Sequence, residues 1–317
     1  MSGARGRSFQ VAASIALVLL LALFARHVDW RAAMAAARGA RASLLVLAFL
    51  CNQLSLVLKG VRWWVFLRPL GVHSLALVLR ATYAGASLNN MVVAQGGEAA
   101  RMLLVSRTSG VASARVASAL ALERVLDGVS YLTLLTGAAF LLPLPEVLAR
   151  WRIPAAVALV CSIGGVVALG ATSRAAPPER TRAATVWERL RLSLGRFASS
   201  VSESASPLRL AIALLLSFSA WALQVATYHT VARATNLPLP LAGSIAAMLA
   251  IGVSFLVRAT PGNVGIFQVI YALTVASFGI DRPAAVATAL LIQVVQIVPT
   301  VVLGSVAAHR LAVGRAL

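Results

Sequence analysis

Apolar runs long enough to cross a bilayer recur along almost the whole of this 317-residue chain, and few folds can accommodate them. Hydrocarbon offers no partner for a backbone N–H or C=O, so a spanning segment must satisfy its own hydrogen bonds as a helix or close into a barrel. The runs are continuous rather than alternating, which is the pattern of helices. Composition agrees: 60% of the residues are hydrophobic, 12% are charged, and the mean hydropathy is +0.88. A soluble domain would carry about 25% charge.

Requiring about 20 mostly apolar residues per crossing gives Phe9 to Ala25, Ser43 to Leu58, Val116 to Leu142, Ile153 to Thr172, Leu208 to Val231, Leu241 to Val257, Ile266 to Ile280 and Ala284 to Ala308. Leu75 to Ala94 and the stretch around Pro261 are too interrupted to count as full crossings and read as re-entrant or half-helical. The prediction is an all-α polytopic membrane bundle of about eight spans, with two broken helices and two halves that are candidates for an inverted repeat. All 317 residues form one membrane domain in this reading, with halves near 1–172 and 208–317 and a basic cytoplasmic connector over 173–207.

The formal net charge of +19 follows membrane topology rather than nucleic-acid binding. With the amino terminus cytoplasmic, the inside receives Arg5, Arg7, the stretch from Lys59 to Arg115, the loop from Arg174 to Arg196, and Arg310 and Arg315. That is the positive-inside distribution. Arg26, Arg31, Arg38 and Arg41 oppose it, and Arg38 and Arg41 are expected on a short helix lying in the interface. No small-x-small cleavage site follows Phe24, so the first span reads as an uncleaved helix rather than a signal peptide. In the connector, Trp187, Leu190, Leu194 and Phe197 recur at helical spacing among arginines, which suits either an amphipathic surface helix or a solvated linker. Trp63 and Trp64, beside Lys59, Arg62 and Arg68, read as an aromatic belt at the headgroup layer, where Arg62 and Arg68 can meet lipid phosphate.

Cys51 and Cys161 lie in apolar runs and are expected to pack. His27, His73, His229 and His309 are too scattered to form a metal site. No metal and no cofactor is predicted.

Polar chemistry concentrates in three places. Glu98, Glu123 and Asp127 are three of the nine acids in the chain, and Arg101 and Arg124 accompany them. A charge at a helix centre costs about 2.5–3.5 kcal/mol on insertion scales, so such residues face an interior. Glu123 and Asp127 share a helical face and repel, which calls for a cation. Arg124 can pair with Asp127, and Arg101 or Arg258 with Glu123. The other two places are interruptions. Asn89 to Arg101 contains Asn90, Gly96 and Gly97, and Arg258 to Gln268 contains Pro261, Gly262 and Gly265. Helix starts at such breaks present free N–H groups and a positive dipole end to an anion, and paired breaks in repeated halves mark midplane binding sites in transporters.

In this order, Arg62-Trp63-Trp64, the Asn90 region, Gly97-Glu98-x-x-Arg101, Glu123-Arg124-x-x-Asp127 and Pro261-Gly262-x-x-Gly265 resemble the motifs of the lysylphosphatidylglycerol synthase transmembrane region family over most of the chain. The resemblance implies a flippase-like bundle with re-entrant segments that moves or handles polar lipids across an inner membrane. The family usually has a proline in the first break, where Val93 and Ala94 stand, and an acid where Gln268 stands. In bifunctional relatives a separate soluble domain transfers the amino acid. No stretch of this sequence is expected to fold as that domain, so aminoacyl transfer is not expected. The lipid headgroup is then expected to meet Arg62, Asn90, Gly97, Glu98, Arg101, Glu123, Arg124, Asp127, Arg258, Pro261, Gly262, Gly265 and Gln268, with membrane lipids as the partners. Two other readings stand beside this one. Glu123-x-x-x-Asp127 could hold Mg²⁺ against a diphosphate in a lipid-modifying transferase, and the chain could be an accessory protein of envelope lipid synthesis that transports nothing. No nucleotide-binding motif is present.

Overall fold

The computed structural model describes residues 31, 34–35, 38–91, 96–172, 206–254 and 261–313. Outside these lie the span from Phe9 to Ala25, the amphipathic stretch from Trp187 to Phe197, Val93 and Ala94 of the first interruption, and Arg258.

Among the described residues the structure is helical throughout and contains no strand. The elements in chain order are α1 (Ala42–Leu67), a 3₁₀ turn (Arg68–Leu70), α2 (Leu75–Met91), α3 (Gly96–Ser109), α4 (Ser113–Leu141), the short α5 (Glu146–Ala149), α6 (Arg152–Thr172), α7 (Pro207–Ala234), α8 (Leu241–Ser254), a second 3₁₀ turn (Pro261–Asn263), α9 (Ile266–Ala276) and α10 (Arg282–Val313).

Among the described residues four stretches are long and apolar enough to cross a membrane: Ala42–Leu70, Glu146–Gly164, Pro207–Ala234 and Arg282–Leu311. They contain or overlap four of the sequence-predicted spans. The stretch from Val116 to Leu142 forms the 29-residue α4, whose apolar character is broken by Glu123, Arg124 and Asp127. Leu241 to Val257 is described as helix over Leu241–Ser254, and Ile266 to Ile280 yields a helix of 11 residues. At about 1.5 Å per residue the latter alone does not cover a core about 30 Å thick. These two helices pack against each other, as do α4 and α6.

The chain divides into two compact units. One takes in the chain up to Asn52, Ala86–Gly96 and Gln224–Val302. Its interior holds Leu249, Ile251 and Ile292, with Tyr228 stacked 6.0 Å from Phe267 and 6.5 Å from Tyr271. Pro299 removes from α10 the backbone donor that the Val295 carbonyl would otherwise meet, and beside it the Thr300 hydroxyl donates to the Gln296 carbonyl at 2.6 Å.

The other unit takes in Gln53–Gly85, Gly97–Leu223 and Leu303 onward. Trp63, Phe66, Leu67, Val78, Val105, Val116 and Ala119 form its fully buried centre. Within this unit Gly85 of α2 lies against the start of α3. A β-carbon there would fall 2.7 Å from the Gly97 carbonyl oxygen and 3.1 Å from Arg101 Cβ. Glycine is required because the approach is backbone to backbone. This contact sets where α3, and with it Arg101, sits.

Candidate functional site

Six charged side chains of the second unit alternate in sign around a closed ring. Glu123 and Asp127 stand four residues apart on α4 and so point the same way. Arg62, from α1, lies between them: Nη2 donates to Glu123 Oε1 at 2.9 Å and Nη1 to Asp127 Oδ1 at 2.8 Å. Nη1 also donates to Ser217 Oγ of α7, at 2.7 Å. Arg101 of α3 donates from Nη2 to Glu123 Oε2 at 2.9 Å and from Nε to Glu98 Oε2 at 2.8 Å. Arg124 donates to Glu98 Oε1 at 2.7 Å, and its other amino group stands 3.9 Å from Asp127 Oδ2, closing the loop.

The ring runs from buried to exposed. Arg62 and Glu123 are each 1% exposed, whereas Glu98 is 28% and Arg124 50% exposed. Removing one partner of a buried pair leaves an uncompensated charge and costs about 3–5 kcal/mol, so the inner arc locks α1, α3 and α4 in register. The exposed pair is worth at most about 1 kcal/mol and is free to exchange partners. Glu98 occupies the first turn of α3, where the helix dipole favours an acid. Arg101 also lies 4.6 Å above the ring of Trp63, a cation–π contact beneath the buried arc.

Two features of this region were not visible in the sequence. Lys59, one turn before Arg62, lies 5.3 Å over Trp221 and within electrostatic reach of Asp127. It leaves the cluster with four cations (Lys59, Arg62, Arg101 and Arg124) against three acids (Glu98, Glu123 and Asp127). In addition, Arg62 Nε, Trp63 Nε1 and Trp221 Nε1 are buried donors without a partner. Lys59 and Ser217 could have been found only by knowing which faces of α1 and α7 turn toward α4.

The structure corrects the placement of Arg62 and Trp63. Arg62 is not free to meet a lipid phosphate, because both its amino groups are spent on acids, and Trp63 is completely buried. The reason is that α1 continues unbroken to Leu67, so this segment is helix interior rather than the end of a span. Trp64 alone keeps a half-buried position, with Nε1 donating to the His73 carbonyl at 3.2 Å and Arg68 5.3 Å from its ring. Arg124 pairs chiefly with Glu98, and the cation between Glu123 and Asp127 is Arg62.

Asn90 of the first interruption meets the second interruption within the first unit. Pro261, Gly262 and Asn263 form a 3₁₀ turn in which Gly262 and Asn263 adopt φ near +60° (60° and 59°), and Gly265, at φ 90°, precedes the first residue of α9. A β-carbon on Gly262 would lie 2.9 Å from Ile297 Cδ1 and 3.6 Å from the Asn90 carbonyl, so the end of α2 reaches this turn. Neutral amides hold it. Gln268, 3% exposed, accepts the Gly265 N–H at 2.6 Å and donates to Gln293, whose own amide donates to the Gly262 carbonyl at 3.0 Å. Gln293 carried no signal in the sequence. A further relay, Gln296 to Gln224 (2.9 Å) to Asn52 (3.2 Å), extends the amide chemistry through α10, α7 and α1. Gly97 lies at the start of α3, beside Glu98, and Arg258 lies outside the described residues.

His229 Nδ1 is 3.0 Å from Ser244 Oγ, and Cys51 and Cys161 are free thiols. Among the described residues no three His, Cys, Asp or Glu side chains gather as a metal site.

No curated protein matches the chain. The model of the lysylphosphatidylglycerol synthase TM region matches residues 10–304, well over half the sequence, and together with the apolar helices and the buried ring within them it places this chain in that family as a multi-pass membrane protein.

Proposed function

We propose that the chain accepts the headgroup of an anionic or isoprenoid lipid and carries it across the inner membrane, flippase-like, with no covalent step. The observation that carries this reading is the alternating ring, with its buried arc at Arg62, Glu123 and Arg101 and its wet edge at Arg124 and Glu98. Arg124 can exchange Glu98 for a headgroup phosphate at little cost, because the released acid keeps Arg101. The surplus cation and the orphan donors favour an incoming anion over a metal ion. In this reading α8 and α9 enter the bilayer as a hairpin broken at Pro261, the broken α2–α3 segment is its counterpart, and the crossings number about eight. The positive-inside distribution supports a cytoplasmic amino terminus. Transport would draw on an ion gradient or on the lipid's own gradient.

A transferase that holds Mg²⁺ on Glu123 and Asp127 is the second reading, and Arg62 weakens it by occupying the space between the two carboxylates. The two are separated by reconstituting the full chain in proteoliposomes with headgroup-labelled lipid. Transbilayer movement with chemically unchanged lipid is expected, and Arg124→Gln should slow it about tenfold without loss of folded protein. A full rate in both Arg124→Gln and Arg101→Ala would remove the ring from the mechanism. A new lipid product in the presence of Mg²⁺, seen by mass spectrometry, would replace transport by transfer.

A further inference from the structure

A cavity lies elsewhere in the unit that holds the ring. It has a volume of ≈ 410 Å³ and is lined by the turn from Gly71 to Ser74, the first turns of α2, Thr108 and Ser109 at the end of α3, and Arg310 with Leu311 near the end of α10. None of the six ring residues contributes to it.

Its charge is one-sided. Arg80 and Arg310 both line the cavity and are exposed, and neither forms an ion pair with a described acid. The described acids of this unit are Glu98, Glu123, Asp127 and Glu146, and the first three are already committed to the ring. Two guanidinium groups beside one cavity repel each other unless an anion stands between them, and a tetrahedral oxyanion matches their paired donors. The Ser74 hydroxyl accepts the Leu77 N–H at 3.2 Å and so caps α2, whose amino-terminal end adds positive potential at the same place. The carboxyl-terminal end of α3 opposes it with roughly half a charge, which two full charges outweigh. The exposed Ser74 hydroxyl supplies a further donor suited to a phosphate oxygen. The neighbouring contact, Trp64 to the His73 carbonyl with Arg68 over the indole, braces the turn that forms one wall.

We propose that this cavity is a phosphate-binding site, separate from the ring, and that Arg80 and Arg310 grip the phosphate from two sides. The group can arrive as the phosphodiester of an anionic lipid headgroup or as free inorganic phosphate. Its volume is ample for either, and the two sources differ in what else must be bound.

The experiment uses the purified full chain and compares wild type, Arg80→Gln, Arg310→Gln and the double variant. Both side chains are exposed, so the variants should fold, and a thermal melt in detergent without ligand checks this. Native mass spectrometry with phosphatidylglycerol, and with phosphatidylcholine as the zwitterionic reference, reads lipid retention. The stabilisation of the melting temperature by inorganic phosphate, with chloride at equal ionic strength as control, reads the free anion. Each single variant should weaken binding at this cavity about tenfold, and the double variant should abolish the phosphate effect or lower phosphatidylglycerol retention to what the ring alone holds. Loss of phosphatidylglycerol retention assigns the site to a lipid headgroup, and loss of the phosphate effect with lipid retention intact assigns it to the free anion. Unchanged behaviour of the double variant toward both probes overturns the proposal. Arg282→Gln, at an exposed arginine that belongs to neither the ring nor this cavity, should leave both readouts at the wild-type level.

Discussion

The ring around Glu123 and the turn at Pro261 solve one problem in two chemistries. Each must keep polar groups inside an apolar helical unit by pairing them with one another. The ring does it with full charges shared among α1, α3 and α4, and the turn does it with the neutral amides of Gln268 and Gln293. Charged pairs in a low-dielectric interior are strong once formed and expensive to part. Amides exchange partners at about 1 kcal/mol per hydrogen bond. The charged element is therefore suited to hold helices in place, and the amide element to let backbone rearrange.

The largest break in this contrast should come from Glu123→Ala, which takes away the acid that two buried arginines share. A loss of about 3–5 kcal/mol is expected, read as unfolding or loss of the monodisperse protein in detergent, whereas Glu123→Gln should retain part of it. Next, Gly85→Ala should cost about 1–3 kcal/mol, because its β-carbon meets the Gly97 carbonyl at 2.7 Å and pushes Arg101 away from Glu123. A melting temperature equal to wild type would show that α2 and α3 can separate freely. Gln268→Leu should cost about 0.5–2 kcal/mol as a lost helix cap, and Gln268→Glu less, since a carboxylate still accepts the Gly265 N–H. A Gln268→Leu loss as large as that of Glu123→Ala would erase the distinction between the two elements. Arg124→Gln should change stability least, by less than about 1 kcal/mol, with the effect shrinking further in high salt.

Much of the helical layout was legible in sequence because long apolar runs have one outlet in hydrocarbon, and Ser43 to Leu58, Leu208 to Val231 and Ala284 to Ala308 all fall within long helices. The convergence of Glu98, Arg101, Glu123 and Arg124 was legible for a related reason, since a few acids in an apolar chain must find cations. What escaped was facing. Lys59, Arg62, Trp63 and Trp64 read as the end of a span because tryptophan and basic residues gather at interfaces. The continuation of α1 to Leu67 instead puts one tryptophan in the core and one arginine in the ring. Hydropathy also could not separate a full crossing from the 11-residue α9, since that helix is at least as apolar per residue as the long ones. Gln293 and Gly85 escaped because an isolated amide and an isolated glycine within apolar stretches carry no periodic signal. Their roles exist only once α9, α10, α2 and α3 are placed.

A closed loop of charges has a property that an open chain of the same pairs lacks. Cut one link, and every member still keeps a neighbour of opposite sign. The longest link is already nearly severed, at 3.9 Å between Arg124 and Asp127, and it lies on the exposed side. The loop can therefore part there like a clasp while no ion deeper inside is ever left alone.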